Sequence, residues 1–354
     1  MADLALQARY PGTARLPRRV LAQLPTPLEE LAPERIGLDV GRLRVKRDDL
    51  TSPLYGGNKV RKLEFLLGQA RAEERRAVIT FGAYGSNHAL ATAVHARACG
   101  LEPHVVLSPQ APGPFARATL LAHAGLGTVI HPAEGWDGSR EAVRARARLR
   151  ERGVDPLVIP MGGTNAVGAT GYVNAALEIA EAGDAPDLVY TAGGTLGTAV
   201  GLAVGFAAAH VPTRVVSVRV TPAEVAHEAF ARELAAATVA HLRAADADFP
   251  DLAFDELALD LRDEWFEPGY GVVTPETLEA VEAARVLGLS LETTYTGKAF
   301  AALSADARAG LLGGLDVLFL NTYSAVPPPA PGPVDALPEP LQEYVAECER
   351  LFGT

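Results

Sequence analysis

Short runs of β-branched and other apolar residues, bounded by Gly or Pro, recur at Ala77–Phe81, His104–Leu107, Thr128–Ile130, Leu157–Pro160, Leu188–Thr191, Arg214–Val220 and Val317–Leu320. Such runs read as strands buried on both faces. Between them lie segments with helical spacing: Lys59–Arg71, His88–Cys99, Pro114–His123, Ser139–Arg152, Ala166–Ala182, Leu196–His210, Pro222–Leu242, Pro275–Leu287 and Gly297–Ala309. Strand alternating with helix leaves few solutions, namely parallel sheets covered by helices. In such sheets ligands bind beyond the carboxyl ends of the strands, where backbone amides and helix N-termini converge. Pro327–Pro333 reads as a stiff surface connection before a last helix at Leu337–Leu351, and Arg243–Arg262 as a linker with some helix.

Composition removes several partner classes. The chain has 354 residues, 48% of them apolar, enough for two domains. Its 43 acidic against 32 basic residues give a formal charge of −11, which repels nucleic acid and anionic lipid. The apolar stretch Thr198–His210 is too short to cross ~30 Å of hydrocarbon, so no membrane span is expected. Only Cys99 and Cys348 are present, and the start lacks a basic leader with a long apolar run, so a cytoplasmic setting is expected. No metal is expected either.

The basic residues are 28 Arg and four Lys, at 46, 59, 62 and 298. Arginine cannot replace an amine that must lose its proton and attack a carbonyl, so a lysine in a Gly-rich setting is a candidate for that chemistry. Tyr55-Gly56-Gly57-Asn58-Lys59-Val60-Arg61-Lys62 puts one at the opening of an amphipathic helix. There it can form a Schiff base with an aldehyde cofactor, or it is an exposed first-turn lysine. After the strand Ala77–Phe81 comes Gly82-Ala83-Tyr84-Gly85-Ser86-Asn87-His88. Free amides at that helix start can hold a carboxylate, Ser86 can exchange a proton and Asn87 can bond a phenolic oxygen; a plain helix cap uses the same residues. His88 is a possible base, or a hydrogen-bonded structural residue.

Thr191-Ala192-Gly193-Gly194-Thr195-Leu196-Gly197-Thr198 enters an apolar helix and forms a phosphate cradle or an ordinary strand-to-helix turn. It matches neither the P-loop nor the dinucleotide fingerprint. Met161–Tyr172 contains another Gly-rich turn. Gly269-Tyr270-Gly271 and Thr294-Tyr295-Thr296-Gly297-Lys298 each place a tyrosine beside glycine, and Thr322 follows the last predicted strand.

These motifs, in this order from about Arg47 to Thr322, resemble the 1-aminocyclopropane-1-carboxylate deaminase / D-cysteine desulfhydrase family of pyridoxal-phosphate enzymes, of the tryptophan synthase β-like fold type II. That family carries Gly-Gly-Asn-Lys-x-Arg-Lys-Leu, Ser-Asn-His, Gly-Gly-x-Asn-x-x-Gly-x-x-Gly-Tyr, Gly-Gly-Thr, Gly-Tyr-Gly and Tyr-x-Gly-Lys. The resemblance implies that pyridoxal 5'-phosphate is the cofactor and that Lys59 is its Schiff-base partner. It implies that Ala192, Gly193, Gly194, Thr195 and Leu196 hold the phosphate and that Asn87 bonds the ring hydroxyl oxygen. Ser86 then sits over the substrate, Tyr270 and Tyr295 flank it, and Lys59, once freed, is a base for the α-proton. Ring-opening deaminases carry a glutamate after the second tyrosine; Thr296 stands there, as in desulfhydrase-like members. Thr296 and Thr322 are the two candidates to face the pyridine nitrogen.

Three departures imply a rebuilt pocket. Gly85 replaces the family's glutamine and is expected to enlarge the space near the cofactor. Leu90-Ala91 replaces an Arg-Gln pair, and Asn321-Thr322-Tyr323-Ser324 replaces His-Thr-Gly-Gly, with Tyr323 adding bulk. The reading is an α/β protein of two parallel-sheet domains. The large domain comprises residues 1–61 and 172–354, with a smaller inserted domain at 62–171 and the cofactor in the cleft between them. A homodimer is implied, and the expected activity is β-elimination on a small amino acid with release of ammonia and a 2-oxo acid. The alternatives are 1-aminocyclopropane-1-carboxylate deamination, a cofactor-binding protein without turnover, and a nicotinamide-dependent oxidoreductase.

Overall fold

Ten strands form two sheets in the computed structural model, which describes residues 4–135, 138–183 and 185–353. They are β1 (Leu28–Leu31), β2 (Arg42–Lys46), β3 (Ala77–Ala83), β4 (Glu102–Ser108), β5 (Val129–Pro132), β6 (Leu157–Val158), β7 (Leu188–Gly193), β8 (Arg214–Arg219), β9 (Leu259–Arg262) and β10 (Asp316–Leu320). The larger sheet runs β1-β2-β10-β7-β8-β9 and the smaller β5-β4-β3-β6. All pairs are parallel except β1 with β2, an antiparallel edge.

All seven expected strands form. Three more, β1, β2 and β9, escaped the sequence reading because charged residues interrupt their apolar ones. In β2, a strand in the interior of the sheet, Arg44 and Lys46 are buried. The Arg44 guanidinium donates to Asp316 on β10 at 2.8 and 2.9 Å, and the Lys46 amine lies 3.3 Å from Glu178. A buried charge is tolerated when paired, and these partners lie far away in sequence. The segment read as a linker ends in β9, the opposite edge of the same sheet.

Helices appear wherever the periodicity places them, with one shortened. The helix expected from Pro222 begins at Glu228, where the His227 side chain accepts the Phe230 N–H. Helices Ala166–Glu181, Gly197–Ala209 and Glu228–Ala245 cover one face of the larger sheet. Pro275–Val286 and Thr296–Arg308 cover the other. The smaller sheet packs against Lys59–Ala72, Asn87–Ala98, Pro114–Leu126 and Ser139–Glu151. The last helix, Glu339–Phe352, does not join the larger sheet as its place in the chain suggests. Leu341, Tyr344, Val345 and Cys348 bury their faces in the cluster of Val105, Leu107 and Leu120, so the C-terminus crosses to the smaller body. Among the described residues no helix is long and apolar enough to span a membrane.

Candidate active site

The carboxyl ends of β3, β7, β8 and β10 converge on one cleft between the sheets, the place parallel topology predicts. Lys59, Ser86, Asn87, Ala192, Gly194, Thr195, Leu196, Tyr270, Tyr295 and Thr322 all line its wall. Motifs spread over more than 250 residues therefore meet.

Lys59 is the first residue of its helix. Gly57 turns the chain there with φ 91°, and a Cβ on it would come within 2.7 Å of the Thr322 carbonyl oxygen, so glycine is required twice over. The Asn58 N–H donates to that same carbonyl at 3.2 Å, tying the lysine turn to the end of β10. The Lys59 amine donates to Asn58 Oδ1 at 2.8 Å, and Asn58 Nδ2 donates to Thr198 Oγ1 at 3.1 Å. Burial lowers the Lys59 pKa to about 8, against the opposing charge of Glu292.

Ser86 caps the helix Asn87–Ala98, its hydroxyl accepting the Ala89 N–H at 3.2 Å. Asn87 Oδ1 accepts the Tyr55 phenol at 2.9 Å, which leaves its Nδ2 for the cavity. His88 is buried with Nε2 2.8 Å from Thr80 Oγ1, and burial holds its pKa well below 6.5. The ring is thereby kept neutral, and His88 lines the cleft as well.

At the other end of the cleft, residues 194–197 leave β7 and enter an apolar helix, with Leu196 at φ 58°. Among the described residues the amides of Gly194, Thr195 and Leu196 donate to no acceptor, which makes an anion nest at a helix N-terminus. Thr195 Oγ1 is 2.6 Å from Thr164 Oγ1. The Lys62 amine, fully buried, donates to the Gly162 carbonyl at 3.1 Å, and a Cβ on Gly197 would lie 2.9 Å from it. Burial, with Lys59 close by, drives the Lys62 pKa far below 10.5. A desolvated amine beside a nest of free amides is left short of a counter-charge, which a dianionic phosphate would supply. Sequence reading singled out Lys59 and passed over Lys62; the scarcity of lysine was the available signal. Lys62→Met is expected to weaken retention of the phosphorylated cofactor by ten- to a hundredfold, from about 1.5–3 kcal/mol for a charge-assisted bond, read by dialysis and reconstitution.

The phenols of Tyr270 and Tyr295 are 2.6 Å apart, with rings edge to face. Burial pushes Tyr270 up to about 12. The Lys298 amine donates to the carbonyls of Phe266 and Gly269 and so pins the loop that carries Tyr270.

Two expected site residues lie off the wall. A Cβ on Gly193 would collide with Ser217 Oγ, so this glycine serves strand packing. Thr296 is buried, and its hydroxyl meets Glu292 Oε1 at 3.1 Å. Thr322 does line the wall, and its hydroxyl has no partner among the described residues. Gly85 does not enlarge the cavity: a Cβ there would sit 3.2 Å from Ala116 and from Gln110 Nε2, and Gln110 Oε1 accepts the Gly85 N–H. Tyr323 does occupy the wall, its ring in edge contact with Phe115.

A lysine whose amine is made easier to deprotonate by burial, in one cleft with an anion nest, suits enzymes that work through a phosphorylated aldehyde. Comparison with known proteins gives the same class. Residues 20–322 match the family described as pyridoxal-phosphate dependent enzyme. A solved structure described as an ACC deaminase homologue is 30% identical, covering 92% of this chain and 96% of its own at a TM-score of 0.77. The processed form of threonine deaminase isoform 2 from Solanum lycopersicum (18% identity, 98% and 88% coverage, TM-score 0.61) shares the fold. So does the O-acetylserine dependent cystathionine β-synthase from Helicobacter pylori (18%, 85% and 92%, 0.58). The chain belongs to the pyridoxal-phosphate dependent enzymes of the tryptophan synthase β-like fold type II.

Proposed function

We propose that this enzyme eliminates a β-substituent from a small amino acid, consuming water and releasing the substituent, ammonia and a 2-oxo acid. Bound pyridoxal phosphate supplies the electron sink that lets a bond at the substrate Cα break. The nest at 194–196 with Lys62 would hold its phosphate, and Asn87 Nδ2, oriented by Tyr55, would donate to its ring hydroxyl oxygen. Ser86 and the first amides of the helix Asn87–Ala98 receive the substrate carboxylate. The Lys59 amine would take the α-proton; an amine with pKa about 8 is partly neutral at pH 7 and suits that task. The Tyr270–Tyr295 pair delivers a proton to the departing group. Thr322, which of the two candidates is the one on the wall, would be the residue to face the ring nitrogen.

The observation that carries β-elimination over ring opening is the threonine at position 296, where the ring-opening deaminases that the chain resembles carry a glutamate. The 30% identity to an ACC deaminase homologue favours a second reading, opening of the cyclopropane ring. One assay separates them: 2-oxo acid release from D- and L-amino acids bearing β-leaving groups and from 1-aminocyclopropane-1-carboxylate. Turnover of a β-substituted amino acid at least tenfold faster than of the cyclopropane substrate is expected; the reverse order refutes β-elimination as the main activity.

Homodimerisation, a cytoplasmic setting and the division into 1–61 with 172–354 and 62–171 remain proposals. The resemblance supports the first, the acidic two-cysteine composition the second, and the split between two sheets the third. In that division the helix Glu339–Phe352 packs with the smaller unit.

A further inference from the structure

We propose that Glu292 sets the protonation state of the bound cofactor, supplying from four residues upstream the negative charge that position 296 lacks. The inference rests on the cofactor lying in the cleft as described above. Glu292 is the one acidic residue among the described residues lining that cleft, which also holds the amines of Lys59 and Lys62. Its carboxylate is fixed. Oε2 accepts the Thr294 N–H at 2.7 Å, and Oε1 accepts those of Tyr295 and Thr296 at 2.9 and 2.8 Å. The Thr296 hydroxyl accepts the Glu292 N–H at 3.0 Å and sits 3.1 Å from Oε1. The carboxylate thus stands at the N-terminus of the helix Thr296–Arg308, where three amides and the helix dipole stabilise a negative charge.

Such a carboxylate can serve only as a cap for that helix. Its surroundings argue for more. The titratable groups that feel its charge come from several separate segments of chain: Lys59 at the head of its helix, Tyr55 just before it, Tyr270 on its loop, Tyr295 beside it and Tyr323 after β10. In each case the carboxylate favours the protonated form. A cofactor seated among these groups meets the same field, and a fixed negative charge at short range in a water-poor cleft raises the proton affinity of any basic nitrogen there. This is a positioning and electrostatic role, because the carboxylate's hydrogen bonds are spent on backbone and Thr296.

The test is a pH titration of the visible absorbance of purified holoenzyme, for wild type, Glu292→Gln and Glu292→Asp. Glu292→Gln is expected to move the midpoint down by about one pH unit, a tenfold loss of proton affinity. Glu292→Asp, which keeps the charge, is expected to stay within about 0.3 unit of wild type on the same scale. If wild type shows a constant spectrum up to pH 10, the Gln variant's transition should enter the range from above. A Gln variant that melts at lower temperature yet titrates as wild type does, or is equally constant, overturns the proposal and leaves Glu292 a helix cap. Should the Gln protein fail to fold, Glu292→Asn repeats the measurement with a shorter neutral cap, and the same two outcomes decide. Borohydride labelling of wild type reports separately on the site: absence of label at Lys59 sinks the placement of the cofactor, whatever the titrations show.

Discussion

Lys59→Ala is expected to leave a folded protein without the visible absorbance of a covalently bound cofactor and with turnover reduced by at least about a thousandfold. The fold should survive because the Lys59 amine makes one local bond, to Asn58, and removal of a buried amine relieves a desolvation cost. Reconstitution of cofactor-stripped protein checks the result. Because burial sets the wild-type amine near 8, its neutral fraction rises about tenfold per pH unit below that value. The rate of covalent attachment should follow, levelling off above pH 8, whereas the variant gains no band at any pH. A variant with the wild-type band would remove Lys59 from the chemistry.

Two residues further along the same helix, Arg61→Ala should be the most damaging substitution for stability. The Arg61 guanidinium is fully buried and donates to Asp48 at 2.8 Å through two nitrogens, to Glu178 at 2.9 and 3.0 Å, and to Thr26 Oγ1 at 3.0 Å. The Tyr172 phenol adds a bond to Asp48 at 2.6 Å, and Lys46 pairs with Glu178. Removing Arg61 leaves two buried carboxylates with one remaining cation, an expected loss of about 3–5 kcal/mol at pH 7. Urea unfolding measures it. The pH dependence has a definite sign. Burial alone would raise the Asp48 pKa, but Arg61 and Lys46 outweigh it and hold the carboxyl below its usual 3.8. In wild type that contribution is present above the unfolded value and is lost as pH falls through the folded one. In the variant burial prevails and the Asp48 pKa rises, so its deficit should shrink as the pH is lowered toward 4. A deficit under about 1 kcal/mol at neutral pH would mean that the network is solvated and that Arg61 does not anchor the lysine helix.

Lys59, Ser86, Asn87 and the 192–196 turn could be read in advance because each lies in a local motif of small residues between a strand and a helix, or at a helix start, a signal carried by consecutive positions. Lys62 and Tyr55 lie inside the lysine motif but were passed over, because what sets them apart is distant in sequence: Lys62 meets Gly162 and Gly197, and Tyr55 meets Asn87. Glu292, not singled out in the sequence, lies at a helix start that borders the cleft. Thr296 shows the converse, for its place beside Tyr295 suggested a wall residue and the turn of the helix carried its hydroxyl inward.

Hydrophobic periodicity and glycine placement by themselves determined the alternation of strand and helix, the parallel sheets and the Gly-rich motifs on which the family resemblance rests, since these depend on neighbours a few residues away. Tertiary structure alone decided that a charged segment becomes the interior strand β2, that the last helix crosses to the smaller sheet, and which hydroxyl and which carboxylate reach the cleft. Those outcomes turn on pairing a charge or burying a face against groups hundreds of residues distant, energies that no local pattern encodes.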